Sequence, residues 1–256
     1  MFEEDEEEYE RDPDESKGAK VWRTVKTVVR CLVFTVIFGV ILLLLARMFM
    51  SGDPASMKAL SVNDRVVEAY NKNGGLRAIA QVSQVITHEK DDEKGYNYGY
   101  FSVPRFVILP EAGQVQVVFR YNNSTLRATK EDFQLDAVPE KGAEVYDVSL
   151  LLLRDLTPEN KEDNQDGSDT LEKVRIAPTS KAVATTGLYT YFLYTFDGVT
   201  LETVPVIYFD IYFPNGEPVD YSKDPYGTLR IYHEESERIA VSLSSAEKKA
   251  IADFAP

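Results

Sequence analysis

The chain has 256 residues, one cysteine and a formal net charge of −14 at pH 7. Residues 51–256 carry 32 acidic and 21 scattered basic residues, a net charge of −11. Nucleic-acid binding requires a concentrated positive patch, so this composition argues against it. A single cysteine excludes intramolecular disulfides, and a domain of about 200 residues buries an adequate core without them. The missing disulfides favour a bacterial source.

The first sixteen residues, MFEEDEEEYERDPDES, contain ten acidic residues and little apolar material. Such a segment cannot bury enough surface to fold. Residues 1–19 are therefore expected to be a disordered acidic tail, and a basic cytoplasmic partner is the alternative use for its charge.

Residues 20–50 contain a basic flank followed by the apolar run VVRCLVFTVIFGVILLLLARMFM, residues 28–50. At about 1.5 Å per residue this run spans roughly 34 Å, enough to cross a hydrocarbon layer of about 30 Å. We therefore expect residues 28–50 to cross the lipid bilayer as one helix. The alternative is a cleaved signal peptide, but its apolar stretch would be about 7–15 residues long and would end in small residues.

The charges flanking this run predict its orientation. Five basic residues and no acidic residue lie between residues 17 and 30, whereas the far flank offers only Arg47, Lys58 and Arg65. Positive charge resists translocation, and acidic residues contribute little to this rule. We therefore expect a single-pass protein of the cell membrane with a cytoplasmic N-terminus, a linker over residues 51–60 and an extracytoplasmic domain over residues 61–256.

The extracytoplasmic domain is predicted to begin and end with a short helix. Ser61 and Asp64 have the spacing of a capping box, and the apolar face that follows ends at Asn73-Gly74-Gly75, which suits a left-handed helix end. Ser244 and Glu247 have the same capping-box spacing before the last residues of the chain.

Between these helices the apolar residues recur with period two, which predicts strands. Residues 76–87 fit helix or strand, and their β-branched residues favour a strand. In residues 204–213, Ile207, Phe209 and Ile211 alternate with tyrosines and Asp210, so one face is expected to point inward. The seven predicted strands are Tyr100–Leu109, Gln114–Tyr121, Glu144–Arg154, Thr170–Ile176, Leu188–Phe196, Val204–Phe213 and Thr228–His233.

Seven short strands without an intervening helical pattern predict a mainly β fold, an antiparallel two-sheet β-sandwich. An immunoglobulin-like sandwich is one form of this architecture. The Cys…Trp…Cys hallmark of that family is absent, so only the number and spacing of the predicted strands support the immunoglobulin-like form.

The candidate catalytic and metal-binding residues form no complete motif. His88 and His233 lie beside acidic residues, but their spacing does not fit zinc. Residues 162–169 begin like an EF-hand loop, yet Lys173 stands where the bidentate acid belongs, which leaves an irregular weak calcium site as the alternative. Residues 245–248 match S-x-x-K without the other motifs of penicillin-binding enzymes. We expect no catalytic residues, no cofactor and no essential divalent metal.

Fourteen of the fifteen tyrosines lie in the extracytoplasmic domain. Their rings could stack on sugars or peptides, but tyrosine is also a favoured strand residue. The three groups are Tyr96, Tyr98 and Tyr100; Tyr189, Tyr191 and Tyr194; and Tyr208 and Tyr212.

These features predict a non-catalytic binding or scaffolding module that interacts with envelope proteins or glycans. The alternative is an envelope-associated carbohydrate-active hydrolase using paired carboxylates, because a sequence does not reveal how far apart two carboxylates lie. A ligand-sensing role is a third hypothesis, although residues 1–27 contain no recognisable output domain.

Overall fold

The chain divides into two compact units, residues 1–52 and residues 53–256. This is a computed structural model, and it describes most of both units. The described residues are 17–79, 82–87, 101–132, 134–155, 171–200, 206–212, 220–222, 225–232 and 238–254.

The first unit contains one long helix, α1, Lys17–Ser51. Its segment Val21–Met48 is long and apolar enough to cross a membrane, and the most apolar part is not buried by the protein. The hydroxyl groups of Thr27 and Thr35 each donate to the carbonyl oxygen four residues earlier, at 2.9 Å. Because these two hydroxyl groups are satisfied within the helix, the apolar part of α1 suits a lipid environment, in agreement with the predicted span.

The second unit is an antiparallel β-sandwich, as predicted. Each of the seven predicted strands is present, with ends that shift by three residues at most. The strands are β1 Arg77–Ala78, β2 Val82–Thr87, β3 Phe101–Leu109, β4 Gln114–Asn122, β5 Asp147–Asp155, β6 Leu171–Ile176, β7 Ser180–Thr185, β8 Tyr189–Asp197, β9 Val206–Tyr212, β10 Gly227–Tyr232 and β11 Ile239–Ala240.

Two larger sheets and one small strand pair contain the described strands. The first sheet has the order β3-β4-β8-β7, the second has the order β2-β10-β9-β5-β6, and β1 pairs with β11. Immunoglobulin domains have the orders A-B-E-D and G-F-C, to which variable-type domains add C′. Strands β3 to β10 follow these orders when they are read along the chain as A, B, C, C′, D, E, F and G. The strand order is therefore immunoglobulin-like, with β2 added beside β10.

The main core lies between the two sheets. Phe119 of the first sheet contacts Phe209 of the second at a ring-centroid distance of 6.2 Å, and Phe196 contacts Phe209 edge-on at 6.3 Å. Within the first sheet, Phe192 stacks on Tyr194 at 5.7 Å. These offset and edge-on arrangements are the ones that aromatic pairs favour, so the rings lock the two inner faces together.

The helices of the second unit lie near its ends and in one loop. They are α2 Ala55–Lys58, α3 Asp64–Asn73, α4 Leu126–Asp132 and α5 Ser245–Phe254, with 3₁₀ turns at Pro110–Ala112 and Asn123–Thr125.

The predicted cap of α3 is wrong, whereas its end and the cap of α5 are confirmed. Asn63, not Ser61, caps α3 by accepting the Val66 N–H at 3.2 Å. The helix ends at Gly74 with φ at 66°. In α5 the Ser244 hydroxyl oxygen accepts the Glu247 N–H at 3.2 Å, and the Glu247 carboxylate accepts the Ser244 N–H at 2.6 Å.

Residues 53–61, here called the strap, lie across the outer face of the first sheet. Met57 of the strap is only 2% exposed and packs among Val118, Tyr191 and Leu193. The expected linker over residues 51–60 thus includes the helix α2 and a residue of a buried apolar cluster.

Polar contacts hold the strap along its length. Arg120 forms an ion pair with Asp53 at 3.0 Å. The guanidinium of Arg105 donates to the carbonyl oxygens of Met57, Lys58 and Ala59 at the end of α2.

The C-terminal end of the strap is held by two further side chains. The Gln116 amide accepts the Ser61 N–H at 2.9 Å and donates to the Ser61 carbonyl at 2.8 Å. The Leu60 N–H donates to the carboxylate of Glu247 in α5. The C-terminal helix and the first sheet therefore both fix the segment that follows α1 in the sequence.

Candidate functional site

The outer face of the second sheet carries the polar side chains of β9. Residues Ile207, Phe209 and Ile211 are fully buried in the core, so Tyr208, Asp210 and Tyr212 belong to the outer face. This is the alternation that the sequence predicts.

A shallow cleft of about 450 Å³ lies on this face. Its volume falls within the range of small-ligand sites, about 300–1,000 Å³. The sheet residues that line it are Leu151, Lys173, Arg175, Tyr208, Asp210 and Thr228. A further wall consists of Tyr221, Ser222 and Pro225.

The cleft contains a hydrogen-bonded ion pair between β6 and β9, the strands on either side of β5. Arg175 and Asp210 are 2.8 Å apart, and the side chain of Asp210 is only 3% exposed. Nη1 of Arg175 also donates to the Ser149 hydroxyl at 2.9 Å, and the Thr228 hydroxyl donates to Asp210 at 2.6 Å. A carboxylate buried this deeply requires a charged partner and hydrogen bonds, so Arg175 and Asp210 form a fixed part of the cleft.

Two tyrosines enclose the guanidinium of Arg175. Its central carbon lies 5.2 Å from the ring centroids of both Tyr212 and Tyr221, a distance at which cation–π attraction operates. The two rings meet edge to face at 5.2 Å. Burial and then the negative charge of Asp210 raise the pKa of Tyr212 to about 12, so this phenol stays protonated at neutral pH.

A row of four side chains crosses the second sheet next to this ion pair. Strand register pairs Arg175 of β6 with Leu151 of β5, Leu151 with Tyr208 of β9, and Tyr208 with Arg230 of β10. The Arg230 guanidinium lies over the Tyr208 ring at 5.8 Å. Lys173, two residues before Arg175 on the same strand face, is exposed. The row therefore begins and ends with a basic residue, but both guanidinium groups lie toward β9, one at Asp210 and the other over Tyr208.

Most polar groups of the cleft are cationic or aromatic. Among the lining residues that the structure describes, Asp210 is the one carboxylate, and it is engaged by Arg175 and Thr228. The described part of the chain contains no group of three or more His, Cys, Asp or Glu side chains that could hold a metal ion. Exposed cations beside aromatic and aliphatic surface can bind an anionic ligand that also has an apolar part.

The tyrosine groups that the sequence singles out lie in different environments. Tyr208 lines the cleft and Tyr212, 4% exposed, packs beside Arg175, whereas Tyr194 is buried in the core. Tyr191 is fully buried beneath the strap, and the Tyr189 ring lies 4.4 Å from the Arg120 guanidinium, which holds the strap. The structure thus brings Tyr208 to an open face and uses the other described tyrosines of these groups mainly for packing.

Several predictions concern residues outside the described part of the chain. They involve His88, His233, the acidic segment 162–169 and the tyrosine group Tyr96, Tyr98 and Tyr100. The S-x-x-K match at residues 245–248 is the first turn of α5, where Glu247 belongs to the capping box.

The sequence reasoning missed Arg175 and Arg230 as site residues. Lys173 and Arg175 alternate with Val174 and Ile176, so period two already places both cations on the outer face of β6. What the pattern cannot reveal is that β10, which carries Arg230, is separated from β6 only by β9 and β5.

Comparisons with protein-family models, with curated proteins and with solved structures find no match to this chain.

Proposed function

We propose that the chain is a single-pass membrane protein of the cell envelope whose sandwich domain is a non-catalytic binding module. In this proposal the partner binds to the outer face of the second sheet, over the cleft. The observation that supports it is the lining of this cleft, in which Lys173 and Arg175 place two cations beside the ring of Tyr208.

A fixed site favours this function because a binding surface that is already ordered costs less entropy on association. Arg175 is held by Asp210, by Ser149 and by two tyrosine rings before any ligand is present. Such support from neighbouring side chains keeps binding groups in one geometry.

In this proposal the N-terminus lies in the cytoplasm and the sandwich lies outside, because the basic flank between residues 17 and 30 resists translocation. The orientation is tested in intact cells after replacing the single cysteine by Cys31→Ser and adding Asp253→Cys near the C-terminus. A membrane-impermeant maleimide should label the cells without lysis. Labelling that requires broken membranes would show the reverse orientation.

The binding surface is tested in the full chain by placing a photo-crosslinking amino acid at Tyr208. The matched control carries it at Lys249, an exposed position of α5. Irradiation of cells should give a discrete adduct from position 208, absent from position 249 and reduced by the additional change Lys173→Glu. Equal adducts from both positions, or none from position 208, would contradict the proposal.

A further inference from the structure

Strand β7 lies at the end of the first sheet, and one of its two edges is open. It pairs with β8 on one side, and the described part of the chain places no strand on the other. Five of its six residues are exposed, and its sequence SKAVAT contains neither proline nor glycine. An unpaired edge is a template for another strand, which sheets usually block with proline, bulges or charges.

The hydrogen bonds to β8 determine which backbone groups face the open edge. The Thr186 N–H, just beyond β7, donates to the Tyr189 carbonyl oxygen at 2.8 Å. Bonded residues alternate in an antiparallel pair, so every second residue before Thr186 bonds to β8 and the residues between them direct their N–H and C=O groups outward. These outward residues are Lys181, Val183 and Thr185. Within the described residues, nothing bonds to their outward backbone groups.

The side chains along this edge offer little that would repel another strand. Val183 is 47% exposed although it is apolar. Lys181 is the one charged residue of the strand, and it forms an ion pair with Glu144. On the other face of the strand, Ala182 and Ala184 are small. The edge therefore lacks the unpaired charge that commonly protects such a strand.

We infer that two copies of this chain pair through their β7 strands, antiparallel, so that the two four-stranded sheets join into one. A two-fold axis at Val183 places this residue opposite its own counterpart and Lys181 opposite Thr185 of the second copy. All the outward residues of the strand then find partners, because each opposed pair exchanges two hydrogen bonds. No two lysines face each other in this register, which avoids like-charge repulsion.

The position of the strap favours a second copy over an unrelated strand. The two-fold axis stands perpendicular to the sheet, because only that axis reverses the strand and keeps the side-chain faces aligned. Both copies thus turn the outer face of the first sheet to the same side. Asp53 lies on that face, paired with Arg120, and α1 ends two residues earlier at Ser51. Both membrane helices can therefore enter one bilayer.

This last step rests on the membrane anchoring of the proposed function. Anchoring also matters for affinity, because a single strand pair is a small interface. Two copies held in the same bilayer meet at a high effective concentration, so few contacts are enough to pair them.

The test measures disulfide formation in the full chain, reconstituted in vesicles of neutral lipid, with Cys31→Ser as the background. Under mild oxidation Val183→Cys should give a disulfide-linked dimer, because opposed bonded residues have Cα atoms about 5.5 Å apart, within the range of a disulfide. The matched control is Thr185→Cys on the same edge. It should give at least tenfold less dimer, because its own counterpart lies four residues along the strand, roughly 14 Å away.

A mixture of two variants tests the register directly. Lys181→Cys and Thr185→Cys should each give little dimer alone, but vesicles containing both should give a mixed dimer. Adding Val183→Pro to both copies should abolish this product, because proline removes an outward N–H and leaves the bonds to β8 intact. Val183→Thr keeps the N–H and should keep the product. If thermal unfolding shows that Val183→Pro destabilises the domain, the cysteine register alone decides.

Equal dimer from Val183→Cys and Thr185→Cys would overturn the inference, since chance collisions or parallel pairing would produce it. The absence of dimer from Val183→Cys, or a mixed dimer that survives Val183→Pro in a folded domain, would also overturn it. These failures are distinguishable from failure of the proposed function. The cleft lies on the other sheet, so a site-specific adduct from position 208 would persist if only the β7 pairing is wrong.

Discussion

The outer faces of the two sheets have opposite surroundings in the same sandwich. On the first sheet, Arg120 and Arg105 hold the strap, and Met57 of the strap lies buried against the sheet. On the second sheet, Arg175 is fixed by Asp210, and Lys173 is exposed beside a cleft. Arginines on the first face thus attach another part of the chain, whereas under the proposed function the cations of the cleft bind a partner.

Removing the strap should have the largest effect on this comparison. Residues 53–256 should fold alone as a soluble, mostly β domain, whereas residues 62–256 should lose about 5 kcal/mol or more. Truncation of a buried Met alone costs about 2–5 kcal/mol, and each buried polar group left without a partner costs about 1–3 kcal/mol. That loss is comparable to the whole stability of a typical domain.

Circular dichroism during heating and urea unfolding measure the difference in stability between these two fragments. The change Met57→Ala within residues 53–256 is the intermediate control and should cost about 2–5 kcal/mol. If the shorter fragment melts within a few degrees of the longer one, the strap is not part of the folded domain.

Arg175→Met should have the next largest effect, because it leaves the carboxylate of Asp210 buried without its charged partner. Removing one member of a buried ion pair typically costs about 3–5 kcal/mol. The double variant Arg175→Met with Asp210→Leu should recover most of the loss, since an apolar pair replaces both charges. Chemical denaturation of the single and double variants measures this. A single variant that loses less than about 1 kcal/mol would show that the pair has no structural role.

The strands of the fold could be predicted from sequence because their side chains alternate between core and surface. Strand β9 shows this directly. Ile207, Phe209 and Ile211 face the core, and they alternate with Tyr208, Asp210 and Tyr212 on the outer face. Strand β7 was missed for the complementary reason. Most residues of Ser180–Thr185 are exposed, so no buried face imposes an alternation on its sequence.

The strap and the cleft depend on contacts between distant parts of the chain. Ser61 does not cap α3, because its backbone is held by Gln116, 55 residues away. Arg175 and Asp210 are 35 residues apart, and strand order brings them together across β5. A local pattern can place each of these residues on a face, but it cannot identify its partner.

Glu247→Gln should have an intermediate effect and should change the pH dependence of stability. Burial acts to raise the pKa of Glu247, but hydrogen bonds from Ser244 and from the Leu60 N–H, together with the charge of Arg105, lower it below its ordinary value. The stability contributed by this carboxylate is therefore present above the ordinary value of 4.5 and is lost as the pH falls through the lower folded pKa.

At neutral pH the glutamine should cost about 1–3 kcal/mol, because its amide cannot accept all the hydrogen bonds of the carboxylate. Urea unfolding from pH 7 to pH 3 should show that the wild type and the variant converge as the pH falls. A constant difference across this range would mean that the ionisation of Glu247 does not support the strap. Lys248→Gln, the next residue on α5 and exposed, is the matched control.

Lys173→Gln should have the smallest effect on stability, although Lys173 lies only two residues from Arg175 on the same strand face. Lys173 is exposed and makes no hydrogen bond or ion pair with the described residues, so its replacement should change the free energy of unfolding by no more than about 0.5 kcal/mol. Urea unfolding checks this beside Arg175→Met, and the contrast separates a cation that supports the sheet from one that is placed for binding. A loss above about 1.5 kcal/mol would assign Lys173 a structural partner and would remove it from the proposed binding surface.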